Sequence, residues 1–321
     1  MSKKEYRVLL VPSGSAMAIA ANHALRRYKG FKIIGADSDK LAAGMYLCDE
    51  GYTVPKFKDK DFFPTIKKIV KKEKIDVIFP CLDPILYDFS KRKKEFEKIG
   101  TKVIISDPES ISICRDKWKT MNKLEDKIPL PESCIKKKDV KSFPVFIKPR
   151  DGSGSKHIYK INSREELDAL YDKVPKPIIQ EFLGGKEYSV DCLCSKEGKL
   201  LACVPQERID SRSGVATKGK IVKNEKLREI AEKISDTIKF SGPFFFQTIE
   251  DKDGVPKLTE INPRIAGIMS LSSNSGVNIH ALAVKMFMGE KISIPKIKYD
   301  IYMTRYLSDI FLTEKELKKD I

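Results

Sequence analysis

The sequence predicts an α/β protein in two parts: an N-terminal parallel-sheet domain, then a domain of α+β character. Up to Asp107, short β-branched runs alternate with stretches of helical period, the pattern of a parallel sheet with right-handed crossovers. Beyond Asp107-Pro108 the alternation stops, and short strands joined by glycine turns take over. A length of 321 residues, at about 150 per domain, agrees with roughly two domains.

The elements follow in order. Residues 7–11 form a buried strand, and the loop Pro12-Ser13-Gly14-Ser15 turns it into a helix over 16–28. Residues 31–36 form a second strand, ending at Asp37. A basic amphipathic helix covers 62–72 and a third strand 75–80, running into Cys81-Leu82-Asp83. A charged helix at 91–99 precedes a fourth strand at 102–106. Residues 111–123 read as helix until Pro129 and Pro131 break the chain. From Phe143 onward strands dominate, with helices over 164–173 and 225–239. The strand–loop–helix opening invites a dinucleotide site with Asp37 as the ribose acid. Only Gly14 stands where that fingerprint wants three glycines, which favours a plain βαβ turn.

Composition narrows the classes. Apolar residues are 41% and charged residues 33%, so a disordered or collagen-like chain is excluded. No run approaches ~20 apolar residues, and the N-terminus lacks a signal-peptide core, so no membrane span is expected. Seven scattered cysteines without a CxxC pair point to a reduced, cytoplasmic compartment, with Cys192 and Cys194 as buried thiols. Three histidines, none in a ligand pattern, argue against a zinc enzyme or a Ser-His-Asp hydrolase. The net charge is +16, which suits a nucleic acid, an anionic ligand or a lysine-rich solvated surface.

Four segments carry chemistry. In the first, a strand through Lys148 meets the loop Gly152-Ser153-Gly154-Ser155, followed by Lys156 and a second strand. Glycine lets backbone N–H groups approach an anion, and the two lysines add charge for phosphate oxygens. A glycine-serine hairpin without such cations would read as a flexible turn, so both readings stand here. The second runs from Gln180-Glu181-Phe182-Leu183 through Gly184-Gly185 into Glu187, Ser189 and Asp191, which share one strand face. The third holds Gln247, Glu260, Asn262 and Arg264 around Asp253-Gly254. Taking Asp253-Gly254 as a two-residue hairpin loop pairs Glu250 with Lys257, Ile249 with Leu258 and Gln247 with Glu260. Asn262 then lies on the same face as Glu260. Three oxygen ligands without histidine or thiol suit a hard cation such as Mg²⁺ that bridges nucleotide phosphates, with Arg264 just beyond for a transferring phosphoryl group. The fourth is the basic loop from Gln206 to Lys220, carrying Arg208, Arg212 and Lys218.

Together, Phe146-Ile-Lys-Pro-Arg-Asp-Gly-Ser-Gly-Ser, Gln180-Glu-Phe-Leu-Gly-Gly-Lys-Glu-Tyr-Ser-Val-Asp, Thr217-Lys-Gly and Glu260-Ile-Asn-Pro-Arg resemble the ATP-grasp superfamily in order and spacing. The set is most similar to a single synthetase unit of the carbamoyl phosphate synthetase large chain. The resemblance implies a pre-ATP-grasp (Rossmann-like) domain over 1–107, a small lid subdomain over 108–182 and a large subdomain over 183–321. It implies that Lys148 contacts phosphate and that the 152–155 loop closes as a lid. It implies that Glu181, Phe182 and Leu183 line adenine, that Glu187 binds the ribose and that Gln247, Glu260 and Asn262 hold Mg²⁺, with Mn²⁺ as the alternative ion. Arg208, Lys218 and Arg264 would steady the γ-phosphate and an acyl phosphate. Many relatives carry Glu or Asp where Gln247 stands, which lowers the negative charge here. The implied reaction joins a small carboxylate to an amine through an acyl phosphate, forming an amide, ADP and phosphate. Full carbamoyl phosphate synthesis needs two such units, so a single unit would have to form a homodimer to run both phosphorylations in the same way.

Two other classes compete: an NAD(P)-binding oxidoreductase, from the N-terminal βαβ, and a nucleic-acid-binding protein, from the charge alone. The second lacks arginine-aromatic interleaving and any RRM signature. For the second substrate, loop ends of a parallel sheet nominate Ser13, Gly14, Asp37 and Asp83. Position after the metal hairpin adds Asn274, Ser275 and Asn278.

Overall fold

Five parallel strands form the first sheet, in the order β3-β2-β1-β4-β5. They are β1 (Tyr6–Val11), β2 (Phe31–Asp37), β3 (Glu50–Thr53), β4 (Val77–Pro80) and β5 (Lys102–Val103) in a computed structural model that describes residues 5–152 and 157–317. Ser153, Gly154, Ser155 and Lys156 therefore lie outside the described residues. The sheet is buried on both faces, as parallel sheets are. Val8 and Leu10 of β1 point into one core and Leu9 and Val11 into another.

Crossover helices cover the two faces: α1 (Ala16–Arg26), α2 (Ala43–Tyr46), α3 (Phe62–Glu73), α4 (Asp83–Lys91) and α5 (Lys93–Glu97). Ser15 caps α1, its hydroxyl accepting from Ala18 N at 3.2 Å. Lys68, Lys71 and Lys72 of α3 stay exposed while Phe62, Ile66 and Ile69 are buried, so much of that helix's positive charge is a solvated face. Strand β3 and helix α2 carry too little periodicity to be read from sequence, and the helix expected at 91–99 is split between α4 and α5.

Helices α6 (Pro108–Arg115) and α7 (Lys117–Leu124) replace the single helix expected at 111–123. Asp116 separates them: its carboxylate accepts from Trp118 N and Lys119 N and starts α7 afresh. A second sheet, antiparallel and ordered β6-β9-β7-β8, follows: β6 (Ser133–Cys134), β7 (Val145–Pro149), β8 (Tyr159–Ile161) and β9 (Pro177–Glu181), backed by α8 (Arg164–Leu170).

The third sheet is antiparallel, in the order β14-β13-β10-β11-β12-β15. Its strands are β10 (Glu187–Cys194), β11 (Leu200–Arg212), β12 (Val215–Ile221), β13 (Gly242–Glu250), β14 (Pro256–Asn262) and β15 (Tyr302–Thr304). Helix α9 (Glu225–Thr237) packs on one face. On the other lie α10 (Ser270–Asn274) and α11 (Ile279–Phe287), whose apolar residues join Leu193 and Phe245 in one cluster with Val8, Leu10 and α1. The first and third sheets thus share a core. Cys192 and Cys194 are buried thiols within the α9-side cluster.

The β13–β14 hairpin departs from the predicted register. Gln247 does pair with Glu260, but Ile249 pairs with Lys257 and Glu250 with Pro256. The turn is wider than two residues. Asp251 N donates to Val255 O at 3.0 Å, and the Asp251 carboxylate accepts from Asp253 N and Val255 N. A register shift between Gln247 and Thr248 absorbs the difference and restores the Gln247–Glu260 pair.

Candidate active site

A cavity of about 660 Å³ lies where the three sheets meet. Its position follows from topology. In the first sheet the strand order reverses at β1 and β4, and the loops leaving such a switch point frame a crevice. Those loops deliver Ala16, Met17, Leu82 and Asp83 to the cavity wall.

The second sheet supplies Lys148, and its β9 end supplies Glu181, Phe182 and Leu183, with Gly152 at the edge. The third sheet supplies Glu187 and Arg208 from β10 and β11, Gln247 from β13, and Glu260 and Asn262 from β14, with Arg264 just after. Eleven of the residues to which the ATP-grasp resemblance assigns a role therefore converge. Lys218 does not line the cavity: its side chain is 58% exposed and lies 4.0 Å from Asp210. Asn274 is exposed, and Ser275 and Asn278 bond to Ser272 O and Ala24 O, which gives them helix-end and packing roles instead of a place in the wall.

The dinucleotide reading of the N-terminal loop fails on hydrogen bonding. Asp37 accepts from Gly14 N at 2.8 Å and from Asp39 N at 3.1 Å, so its carboxylate serves its own loop. Among Ser13, Gly14, Asp37 and Asp83, Asp83 alone lines the cavity.

The charges are arranged in pairs except at one end. Arg264 donates Nε and Nη2 to the two oxygens of Asp83 at 2.8 and 2.6 Å. Burial pulls its guanidinium down, but Asp83 outweighs that and holds it above its ordinary value. Arg208 is ion-paired with Glu187, whose carboxyl is raised by burial against the pull of that arginine. Glu181 accepts from Lys257 and from Glu132 N.

The exception is a pair of lysines. Lys148 Nζ rests on Thr259 O and Lys117 Nζ on Gly152 O, each at 3.3 Å, with no carboxylate partner among the described residues. Burial, then the charge of Lys117, push the Lys148 ammonium down to about 8, against Glu260. Lys117 is absent from the sequence reading. Its place beside Asp116, one residue into a helix, offers no signal, because the loop it faces is 35 residues away. Arg305 was missed likewise. Its guanidinium donates to Gly267 O, behind the cavity wall, and burial lowers it.

Gln247, Glu260 and Asn262 form an oxygen-rich cluster beside the lysines. Asn262 Nδ2 donates to Glu260 Oε1 at 3.1 Å. The Gln247 amide has two settings: in one, Nε2 donates to Glu260 Oε1 at 2.9 Å and Oε1 accepts from Arg208. In the other, its oxygen faces the Glu260 oxygen, the setting a cation between them would select. A donor set of carboxylate and amide oxygens fits Mg²⁺.

This architecture defines a class, the ATP-grasp fold. Comparisons with known proteins agree. Residues 173–308 match the family described as ATP-grasp in the biosynthetic pathway with Ter operon, and residues 8–104 match the PylC-like N-terminal domain. The chain is similar to the D-alanine--D-alanine ligase of Fusobacterium nucleatum subsp. nucleatum, 29% identical over 204 residues, covering 56% of this chain and 71% of that protein. It is 25% identical over 294 residues to the carbamoyl-phosphate synthase of Methanobrevibacter smithii, covering 85% and 78%. Among solved structures, the biotin carboxylase–β,γ-ATP complex from Campylobacter jejuni superposes with a TM-score of 0.74 at 18% identity, over 94% of this chain and 75% of that one. These matches, to an ATP-grasp family over residues 173–308 and to relatives named carbamoyl-phosphate synthase and D-alanine--D-alanine ligase, support an ATP-grasp ligase of the carbamoyl-phosphate-synthase-like type. It is an enzyme, an ATP-dependent ligase. No helix among the described residues is long and apolar enough to cross a membrane.

Proposed function

We propose that the chain ligates a small carboxylate to an amine, with ATP and Mg²⁺, through an acyl phosphate. The observation that supports this most directly is the meeting of two lysines, without a carboxylate partner among the described residues, with the Gln247–Glu260–Asn262 oxygen cluster in one cavity. Cations without carboxylate partners are what a polyphosphate needs, and an oxygen cluster beside them suits its metal.

In this reading a carboxylate oxygen attacks the γ-phosphorus, the bond to ADP breaks and an acyl phosphate forms. The amine then attacks the acyl carbon, phosphate leaves and the amine loses a proton. No protein nucleophile is required; positioning and charge neutralisation do the work. Lys117 and Lys148 hold the transferring phosphate, and Gly152 brings backbone close to it. Glu181, Phe182 and Leu183 line the base and Glu187 the ribose. Arg208 and Arg264 steady the oxygens on which charge develops. Gln247, Glu260 and Asn262 would hold Mg²⁺, which supplies neutralisation of phosphate oxygens when bound; Mn²⁺ accepts the same ligands. The parts 1–107, 108–182 and 183–321 act as pre-ATP-grasp, lid and large subdomains. The compartment is the ATP-supplied cytoplasm, and a homodimer is required only if two units share successive phosphorylations.

Calorimetric titration with ADP, with and without Mg²⁺, tests the site. Wild-type protein should bind ADP more tightly with Mg²⁺, and Glu260→Ala should lose that dependence. Binding of NAD⁺ in place of ADP, or an unchanged Mg²⁺ dependence in Glu260→Ala, would refute the reading.

A further inference from the structure

The cavity continues past its phosphate end. Along β14 it runs from Thr259 through Glu260 and Asn262 to Arg264, which faces Asp83. Beyond that pair the wall changes character. It is built from Ala16 and Met17 in the first turn of α1, from Leu82 and Phe245, and from Ala266 and Ile268. The adjoining β11–β12 turn adds Ser213 and Val215, both uncharged.

Charge at this end is already balanced. Both oxygens of Asp83 engage Arg264, and Glu187 engages Arg208. Arg305 lies behind the Gly267 carbonyl and offers this end no charge. The cavity-lining lysines without a carboxylate partner among the described residues, Lys117 and Lys148, sit at the phosphate end, so an acid bound here can place one carboxylate toward them and no second charge. A phosphorylated or polyanionic acid would bring charge that nothing here offsets, and burying it unpaired is costly.

Size is limited too. The whole cavity of about 660 Å³ must also hold the nucleotide. Gly267 stands where the 264–268 loop meets α1: a Cβ on it would lie 3.5 Å from Ala16 Cβ. Its backbone lies outside the left-handed region, so a side chain is conformationally allowed there and would project toward α1.

We infer that this lobe takes a compact, singly charged carboxylic acid with an uncharged aliphatic body, and that Gly267 sets the size it admits. The inference rests on the ligase reading and makes its substrate class specific. The acid's body lies against Ala16, Met17, Ala266 and Ile268, and its carboxylate points back toward Lys148 and the γ-phosphate.

Hydroxylamine can stand in for the unknown amine. It attacks the acyl carbon of an acyl phosphate, the bond to phosphate oxygen breaks, and a hydroxamate and phosphate are released. The full chain with ATP, Mg²⁺ and hydroxylamine is offered a panel of acids: aliphatic amino and hydroxy acids of increasing side-chain size, dicarboxylates, and phosphorylated acids. Hydroxamate and ADP should form best with a small aliphatic acid. Gly267→Leu should shift the preference to a smaller acid, or raise the KM of the best one at least tenfold, while ADP affinity measured by calorimetry stays put. Gly267→Ala, which adds only a methyl in ordinary contact, should do the same more weakly and serves if the leucine variant does not fold. A preference for phosphorylated or dicarboxylic acids, or a size preference that neither variant moves, overturns the inference and leaves the ligase reading intact. ADP binding with no hydroxamate from any acid overturns both.

Discussion

Lys148 offers a test in which stability and binding should move in opposite directions. Its ammonium is buried beside Lys117, and those two effects bring it down from 10.5 to about 8. At about 1.4 kcal/mol per tenfold change, keeping it charged at neutral pH costs the folded, empty protein roughly 3 kcal/mol. Because its value is lower in the folded state than in the unfolded chain, the penalty is full below about pH 8 and fades as the pH rises toward about 10.5. Lys148→Met removes the charge and keeps the apolar stem. The variant should therefore unfold at a higher temperature than the parent at pH 7, and the gap should close between about pH 8 and 10.5. Nucleotide binding should go the other way. A hydrogen bond to a charged group contributes about 1.5–3 kcal/mol, so ATP affinity should fall by about 10- to 150-fold. Thermal unfolding across pH and calorimetric titration with ATP read the two effects. If Lys148→Met were less stable than the parent at pH 7 while binding ATP equally well, Lys148 would be a structural cation and the phosphate site would have to lie elsewhere.

Other perturbations separate structural from functional charge. Asp83→Asn leaves the buried Arg264 guanidinium without its carboxylate, and should cost about 3–5 kcal/mol in urea unfolding; an unchanged midpoint would mean the pair does not hold the first sheet to the third. Asp191, bonded to Ser272 and Gln206, is pushed up by burial to about 7. A carboxyl raised in this way favours folding fully below about pH 4, and that contribution is lost as the pH rises to about 7. Asp191→Asn should therefore gain on the parent across that window, and a stability difference that does not vary with pH would contradict it. At Gly44 an added Cβ would sit 1.8 Å from the Ser13 carbonyl oxygen. Gly44→Ala should cost at least about 1–3 kcal/mol, and a variant that melts with the parent would show that the Ser13 loop yields readily.

Much of this protein could be read along the chain. Alternating strands and helices up to Asp107 required a parallel sheet, because each strand repeats the same two-sided burial that β1 shows. Gln247, Glu260 and Asn262 came together by local pairing: two strands joined by a short turn have few registers open to them. Even there the turn was misjudged by one residue. The Asp251 carboxylate organises a wider loop, and a compensating shift at Gln247 keeps the pair that matters. A pattern of period two cannot show such a shift, because it announces itself only in the hydrogen bonds.

What lay beyond the sequence is everything that depends on distant segments meeting. Arg264 and Asp83 are 181 residues apart, Lys148 touches a carbonyl 111 residues on, and Lys117 reaches the carbonyl of Gly152, 35 residues on. Periodicity records which face of an element is buried, but not which element buries it. The sequence by itself therefore determined the kinds of sheet and the oxygen cluster on one hairpin. The tertiary structure decided which cations are neutralised by carboxylates and which, among the described residues, rest on backbone carbonyls alone. It also decided that the far end of the cavity is apolar, because its wall is assembled from loops of two sheets that come together only when their shared core forms.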